Sequence, residues 1–346
     1  MKIGDFLIDE QSPCFIIAEL SANHNGSLET AIETVKAAKR SGADCIKLQT
    51  YTADTLTIDC DKDDFVIRSG SIWDGNNYYK LYQDAYTPWE WHSEIMRIAK
   101  EEGLICFSSP FDPTSVDFLE KLNVPAYKIA SFEITDIPLI EYVASKGKPV
   151  IISTGIATLE DIELVLDACR RMGNNQIALL KCTSSYPAPI EEANMIMIRD
   201  LQERFGVIAG LSDHTMGSTV PIVATCFGAK IIEKHFILDR SIGGPDASFS
   251  MDEHEFAAMV KAVREAESAI GKVNYTLSEK QMKGKNFSRS LYVVEDMKVG
   301  DVISEKNVRS IRPGFGMHPK YYKYILGKTV KVNVDKGERF KIEFCN

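Results

Sequence analysis

The sequence predicts an α/β protein, a (β/α)8 barrel of the TIM type followed by a small β-rich domain. Eight short β-rich runs alternate with longer helical patterns over residues 15–270, and polar side chains stand where each run ends. In a (β/α)8 barrel those strand ends form the face that carries the chemistry. A doubly wound open sheet is the alternative, but no glycine-rich G-x-G-x-x-G turn follows the first run.

The eight predicted strands are short and consist mostly of β-branched or aliphatic residues. Parallel strands that are buried on both faces require such continuous apolar runs. The runs are Phe15–Leu20, Cys45–Thr50, Ile105–Ser109, Tyr127–Ser131, Val150–Ser153, Ala178–Thr183, Val207–Ser212 and Ile231–Phe236.

Helix starts are marked in the connecting segments by capping residues. Thr87-Pro88-Trp89-Glu90 is typical of a capping box with proline at the first helical position, and Asp112-Pro113 offers a second N-cap followed by proline. Thr158 and Ser250, each with a carboxylate three residues later, predict two more helix starts. Strands and helices therefore alternate as a barrel requires.

Composition narrows the class of protein. A chain of 346 residues, 45% of them hydrophobic, can bury a large core, and a net charge of -9 argues against nucleic acid or an anionic membrane as a partner. The eight cysteines form no C-x-x-C pair, the N-terminus does not resemble a signal peptide, and no apolar stretch approaches membrane-spanning length. We therefore expect reduced thiols and a cytoplasmic protein.

The polar residues at the strand ends predict a pocket for a small anion. Three lysines and several hydroxyl groups should meet at one mouth in a chain of net negative charge, which favours a ligand with phosphate and carboxylate groups. For Lys47 alone, a structural ion pair with Glu19 or Glu233 is an equally good interpretation. The strand-end residues are Glu19, Lys47, Gln49, Ser108, Ser109, Lys128, Ser131, Glu133, Ser153, Thr154, Lys181, Thr183, Ser184, Ser212, Asp213, His214, Glu233 and His235.

Two consecutive predicted strands end in histidine, at His214 and His235. The alternation of side chains places Ser212 with His214 on one face and Glu233 with His235 on one face. Either histidine alone would be interpreted as a hydrogen-bonded core residue. Two imidazoles at equivalent strand ends predict a divalent-metal site instead.

Several motifs together resemble the sialic acid synthases, which condense phosphoenolpyruvate with an acetamido sugar. The likeness extends to a C-terminal module similar to antifreeze proteins (a SAF domain). The opening motif, the Trp73-Asp74 insert and the segment from Arg312 to Pro319 are most similar to the branch that makes pseudaminic acid. The motifs are Glu19-Leu-Ser-Ala-Asn23-His24-Asn25-Gly26, Lys47-Leu-Gln49, Tyr127-Lys128-Ile-Ala-Ser131-Phe-Glu133, Ser153-Thr-Gly, Ser212-Asp-His214 and Glu233-Lys-His235-Phe.

The resemblance implies roles for individual residues. His214 and His235 would hold a divalent ion, with manganese expected and magnesium, cobalt or zinc as alternatives. Glu19 and Glu133 would serve in proton transfer or charge stabilisation. Residues that match phosphoenolpyruvate-binding positions are Lys47, Ser109, Lys128, Ser131, Ser153, Ser184 and Ser212, and those that match sugar-binding positions are Gln49, Tyr186 and Asp246. This chain departs from many relatives at Ser184, where they have asparagine, and at Lys181, where they have histidine.

The implied reaction joins phosphoenolpyruvate, water and a 2,4-diacetamido-2,4,6-trideoxy hexose of the L-altrose form. Pseudaminic acid and phosphate would result, with cleavage of a carbon-oxygen bond. N-acetylneuraminic and legionaminic acid synthesis are the nearest alternatives. A Schiff-base aldolase acting through Lys128 or Lys181 is a more distant one, and a non-catalytic sugar-binding protein would leave the paired histidines unexplained.

Two regions frame the predicted barrel. The connection 51–87 is long enough for a lid and contains Trp73, Tyr78, Tyr79, Tyr82 and Tyr86. We expect a barrel domain at 1–272, a linker at 273–286 and the small domain at 287–346. In that domain the resemblance implies that Arg312 enters the barrel of a partner subunit, which predicts a domain-swapped homodimer.

Overall fold

The structure is a computed structural model that describes residues 1–68, 70 and 72–346. The chain forms two compact units, Met1–Gly271 and Lys272–Asn346. Within the described residues, no helix combines the length and the apolar character needed to cross a membrane.

The first unit is a closed barrel of eight parallel strands, which confirms the predicted fold class. A short hairpin of β1 (Lys2–Ile3) and β2 (Phe6–Leu7) precedes it and was not predicted. The last barrel strand pairs with the first, so the sheet has no free edge. The barrel strands are β3 (Phe15–Glu19), β4 (Cys45–Thr50), β5 (Ile105–Pro110), β6 (Tyr127–Ile129), β7 (Val150–Ser153), β8 (Ile177–Cys182), β9 (Ile208–Asp213) and β10 (Ile231–His235).

Helices connect and surround these strands. Along most of their length the strands are buried on both faces, because the helices cover the outside and side chains fill the inside. The helices of this unit are α1 (Leu28–Arg40), α2 (Ala53–Leu56), α3 (Tyr78–Ala85), α4 (His92–Glu101), α5 (Pro113–Lys121), α6 (Ile137–Ala144), α7 (Leu159–Arg171), α8 (Met197–Phe205), α9 (Thr219–Cys226) and α10 (Glu253–Ile270).

Two of the four predicted helix caps are confirmed. Asp112 and Thr158 accept hydrogen bonds from backbone N–H groups in the first turns of α5 and α7. The prediction for Thr87 was wrong, because its hydroxyl contacts a ring nitrogen of His24 at 3.2 Å and the chain first makes a 3₁₀ turn. The prediction for Ser250 was also wrong, since Asp252 caps α10.

The second unit has its own small core. It contains α11 (Glu279–Gly284), which falls within the predicted linker, the antiparallel pair β11 (Ser290–Val293) and β12 (Val308–Ile311), and α12 (Tyr322–Ile325). Met297 and Val334 exchange two N–H to O=C hydrogen bonds of 2.9 Å. Both of these side chains are buried in the core of the unit.

Candidate active site

A cavity of about 730 Å³ opens at the carboxyl ends of the barrel strands. It is the face on which the chemistry of such barrels is found. The candidate residues that line it are Glu19, Lys47, Gln49, Lys128, Ser131, Glu133, Ser153, Ser184, Tyr186, Ser212, His214, His235 and Asp246.

Seven of the predicted strand-end and binding residues do not line this cavity: Ser108, Ser109, Thr154, Lys181, Thr183, Asp213 and Arg312. Ser109 on β5 is buried, and its hydroxyl finds no hydrogen-bond partner within the described part of the chain. Lys181 turns away from the mouth and donates to the carbonyl of Cys182 at 2.6 Å, so the structure brings together two of the three predicted lysines. Arg312 belongs to the second unit, where it is exposed just after β12.

The floor of the cavity is a buried network of opposite charges. Lys47 Nζ lies 3.0 Å from Glu19 Oε2 and 2.8 Å from Glu233 Oε1. Lys128 Nζ lies 3.1 Å from the same Glu233 oxygen and donates to Ser153 Oγ at 2.8 Å. Strand register explains part of this arrangement, because Lys47 stands beside Glu19 on the neighbouring strand. Lys47 therefore makes the predicted ion pairs and also lines the cavity, so its role in binding an anion stays a prediction.

The network fixes the charge state of the carboxylates. Burial alone would raise the pKa of Glu19 and of Glu233, but the adjacent lysines outweigh it and hold both pKa values below the usual range. For Lys128 the balance is reversed, since burial lowers its pKa more than Glu233 raises it. The floor thus presents two ionised carboxylates and two lysines of unequal basicity.

Glu133 differs from the other two carboxylates. It follows β6 in a 3₁₀ turn, Ser131–Glu133, and burial raises its pKa to about 7. Its Oε2 is buried, and no hydrogen-bond partner for it is found among the described residues. A carboxyl group with a pKa near neutrality and a free oxygen in a cavity can give or take a proton at physiological pH.

We expect replacement of Glu133 by glutamine to lower kcat by roughly 100-fold or more, the usual contribution of a positioned acid or base. The pH profile of the wild-type enzyme should show a limb near pH 7 that the variant lacks. Activity that falls above pH 7 identifies Glu133 as an acid, and activity that falls below it identifies a base. A variant that retains both kcat and the limb contradicts the assignment.

The free energy of unfolding, measured as a function of pH, provides a second readout for Glu133. Because its pKa in the folded state is raised above the ordinary value of 4.5, the folded state holds the proton more tightly than the unfolded state. This contribution to stability is complete below about pH 4.5 and is lost as the pH rises through about 7. The exposed carboxylate of Glu94 on α4 offers a control, since Glu94→Gln should leave the limb near pH 7 in place.

The two histidines predicted to hold a metal stand side by side, with ring centroids 5.3 Å apart. His214 Nδ1 lies 3.0 Å from the Thr183 carbonyl, so in the neutral ring that donates there, Nε2 carries the lone pair. Burial lowers the pKa of His235, which favours its neutral form. Its Nδ1 is buried without a hydrogen-bond partner in the described chain.

In their neutral forms the two rings suit a divalent ion, because neutral imidazole is a common metal ligand and a buried nitrogen without a hydrogen bond is costly. Within residues 1–68, 70 and 72–346, no three histidine, cysteine or carboxylate side chains are grouped as a ready ligand set. An ion held by the two imidazoles would need further ligands, which oxygen atoms of substrate or water could supply. Open positions of this kind are typical of catalytic rather than structural metal sites.

Gly155, to which the sequence analysis gave no role, shapes the hydroxyl-rich side of the cavity. The N–H of Gly155 donates to Ser131 Oγ at 3.2 Å. A Cβ at this position would clash with the hydroxyl groups of Ser131 and Ser184. The absence of a side chain at Gly155 thus lets a backbone N–H and two hydroxyls converge, an arrangement suited to phosphate oxygens.

Aromatic rings form another part of the cavity wall. The Tyr186 ring lies 5.3 Å from Trp73, 5.1 Å from Phe249 and 4.4 Å from His214, measured between centroids. The Trp73 indole N–H donates to the Pro245 carbonyl at 3.2 Å. The long connection 51–87 thus contributes to the wall of the cavity, with Tyr78 and Tyr82 also lining it. Phe249 was not predicted, because nothing in its local sequence distinguishes it from a core residue.

Two known protein families match parts of this chain. Residues 34–275 match the NeuB family, and residues 288–340 match the SAF domain. The second match confirms the predicted type of the small domain. Both matches lie in the order that the sequence motifs predict.

Individual proteins match almost the entire chain. A pseudaminic acid synthase of Campylobacter jejuni is 50% identical over 341 residues, which cover 99% of this chain and 98% of that protein. A pseudaminic acid synthase of Helicobacter pylori is 49% identical over 91% of this chain and 93% of its own. The solved structure of the spore coat polysaccharide biosynthesis protein SpsE from Bacillus subtilis aligns with a TM-score of 0.68 and 30% identity, and covers 100% of this chain and 99% of its own.

Proposed function

The chain belongs to the NeuB family, and from this membership we propose that it condenses phosphoenolpyruvate with a 2,4-diacetamido-2,4,6-trideoxy hexose of the L-altrose form. The products would be pseudaminic acid and inorganic phosphate. One observation carries the proposal: a pair of buried lysines and a group of hydroxyls lie in the same cavity as two adjacent histidines. The lysines and hydroxyls of that cavity could bind an anion, and its two imidazoles could hold a divalent ion.

Phosphoenolpyruvate would bind at the floor. Lys47 and Lys128 supply positive charge there, and Ser131, Ser153 and Ser212 supply hydroxyl donors. Charge-assisted hydrogen bonds of this kind are the strongest that a phosphate or carboxylate oxygen accepts. Ser184 is a shorter donor than the asparagine of many relatives, and the Gly155 N–H holds the nearby Ser131 hydroxyl in place.

The sugar would bind above the floor. Gln49 and Asp246 line the cavity and offer an amide and a carboxylate to hydroxyl and acetamido groups. The rings of Trp73, Tyr186 and Phe249 form an apolar wall against which the acetamido methyl groups and the deoxygenated carbon can pack.

A divalent ion, manganese in our proposal, would be held by His214 and His235 and would polarise the open-chain aldehyde of the sugar. The enol carbon of phosphoenolpyruvate forms the new bond to the aldehyde carbon, and positive charge develops at carbon 2. Glu19 stays ionised beside Lys47 and stabilises that charge. Glu133 can transfer the proton that the new hydroxyl group requires.

Water then adds to carbon 2, and phosphate departs with the bridging oxygen. The test is to incubate the protein and manganese with phosphoenolpyruvate and each candidate sugar, and to measure phosphate release. Phosphate release should be faster with the pseudaminic precursor than with the legionaminic or N-acetylneuraminic precursor. With oxygen-18 in the bridging position, the label should leave in phosphate. Label retained in the keto acid, or preference for another sugar, would contradict the proposal.

We also propose a domain-swapped homodimer, in which Arg312 of the partner subunit completes the sugar site. Residues 1–271 contain 24 Lys and Arg against 41 Asp and Glu, whereas residues 272–346 contain 16 against 8. The first unit is therefore acidic and the second basic. These opposite net charges would favour docking of the second unit of one subunit on the first unit of its partner.

A further inference from the structure

Glu233 lies at the centre of the charged groups on the cavity floor. Its Oε1 is 2.8 Å from Lys47 Nζ and 3.1 Å from Lys128 Nζ, and it accepts a hydrogen bond from Ser212 Oγ at 3.2 Å. These three partners are groups that would bind phosphoenolpyruvate. A single carboxylate oxygen therefore sets the positions of all three.

The other oxygen of Glu233 has no such role. Oε2 is buried and, as far as the described residues extend, has no hydrogen-bond partner, although Glu233 lines the cavity. Glu233 precedes His235 by two residues on the same face of β10, so it lies about 7 Å deeper in the barrel. A buried carboxylate oxygen without a donor is costly. A donor that enters the cavity would remove that cost.

A buried ion pair next to Glu233 has no contact with the cavity and serves as a comparison. Lys234 Nζ lies 2.6 Å from Asp213 Oδ2, and both side chains are buried. Neither residue lines the cavity, and Lys234 also donates to the Thr215 carbonyl. The alternation along β10 thus places Lys234 on the face away from the cavity and Glu233 on the face toward it.

We propose that Glu233 is a positioning residue for the condensation proposed above, on which this inference rests. One oxygen holds the ammonium groups of Lys47 and Lys128 at a fixed spacing for phosphoenolpyruvate, and the other accepts a hydrogen bond from a water molecule that stays on the floor. Ionised phosphoenolpyruvate offers acceptor oxygens and no donor, so it can pair with the lysines but cannot satisfy Oε2.

The charges around Lys128 show why the Glu233 carboxylate between the two lysines matters. Burial and Lys47 both disfavour the ammonium form of Lys128, while Glu233 and Glu19 favour it. Cys182 and Glu133 are the other titratable groups that face it. Without Glu233, two ammonium groups in a buried site would repel each other. Lys128 would then move or lose its proton, and bound phosphoenolpyruvate would lose one of its two cationic partners.

The test compares Glu233→Gln and Glu233→Asp with the wild-type protein in the presence of manganese. Phosphoenolpyruvate binding is measured directly by calorimetry, and KM is measured for each substrate. Glu233→Gln should weaken phosphoenolpyruvate binding and raise its KM by roughly 10- to 100-fold, the range for hydrogen bonds to charged groups. The KM for the sugar should change by less than about threefold. Glu233→Asp keeps the charge and should recover part of the affinity.

Asp213→Asn provides the matched control, because it breaks an equally buried ion pair that faces away from the cavity. It should lower the melting temperature and leave the ratio of the two KM values unchanged. If Glu233→Gln shows that same pattern, or binds phosphoenolpyruvate at least as tightly as the wild type, Glu233 is structural or merely offsets charge and the inference is wrong. Should Glu233→Gln fail to fold, Glu233→Asp is judged by the same ratio.

The proposed function and this inference fail in different ways. A wild-type protein that does not bind phosphoenolpyruvate contradicts the function itself. A wild-type protein that binds it, with Glu233 variants that bind it equally well, contradicts only the role of Glu233.

Discussion

Alanine at His214 or His235 is expected to reduce turnover about a thousandfold or more, which corresponds to about 4 kcal/mol of transition-state stabilisation. The two rings lie 5.3 Å apart, and each alone would be a single weak ligand. A chelator should reduce activity to the same level, and added manganese should restore it only in the wild-type protein. Metal content after dialysis, measured by atomic absorption, provides a readout that does not depend on turnover.

His254 supplies the matched control for this prediction. It lies on α10, is exposed, and does not line the cavity, so His254→Ala should keep its metal and its activity. Full turnover after rigorous metal removal would contradict the assignment. Loss of activity in His235→Ala with unchanged metal content would show that the ring serves the substrate rather than an ion.

Mixed dimers are expected to regain activity that neither parent has. Arg312→Ala should lower activity by roughly 30- to 1000-fold, the cost of removing one partner of a charged interfacial contact. When Arg312→Ala and His235→Ala chains are unfolded and refolded together in equal amounts, half of the dimers are mixed. Each mixed dimer has one intact barrel supplied with arginine by the other chain. About a quarter of wild-type activity should return.

Two controls make this result interpretable. Each variant refolded alone should stay near its original activity, and a tag on one chain should show that mixed dimers have formed. If mixed dimers form but remain as inactive as the parents, Arg312 acts within its own chain or has no role in the site. A protein that is monomeric at assay concentration would contradict the homodimer before any activity is measured.

The barrel strands could be predicted because the physical requirement on them is local. A strand buried on both faces needs an uninterrupted apolar run, and Cys45–Thr50 and Val150–Ser153 occur in the structure with the predicted bounds. Helix caps are harder to predict from the sequence, because tertiary contacts compete for the same hydroxyl group. Ser250 Oγ donates to the Asp246 carbonyl and accepts from Asn23 Nδ2, so Asp252 caps α10 instead.

The candidate site was predictable where a residue type at a strand end indicates its chemistry, as for His214 and His235. It was less predictable where function depends on what surrounds a residue. Lys181 and Lys128 follow similar apolar runs, yet only Lys128 reaches the cavity. Glu133 could be named as an acid or base, but its pKa of about 7 results from burial that only the folded structure shows.

Closure of the barrel determines when during folding the site can form. β10 pairs with β3, so Glu19 and His235 become neighbours only when segments more than 200 residues apart in sequence meet. Such long-range pairing is slow, because the entropy of a long loop is lost before any contact compensates for it. A growing chain on the ribosome therefore carries Lys47 without its partner Glu233, and Glu19 without its neighbour His235, until residue 235 has emerged. An incomplete barrel would expose unpaired strand edges during that time, which makes this the stage at which chaperones matter most.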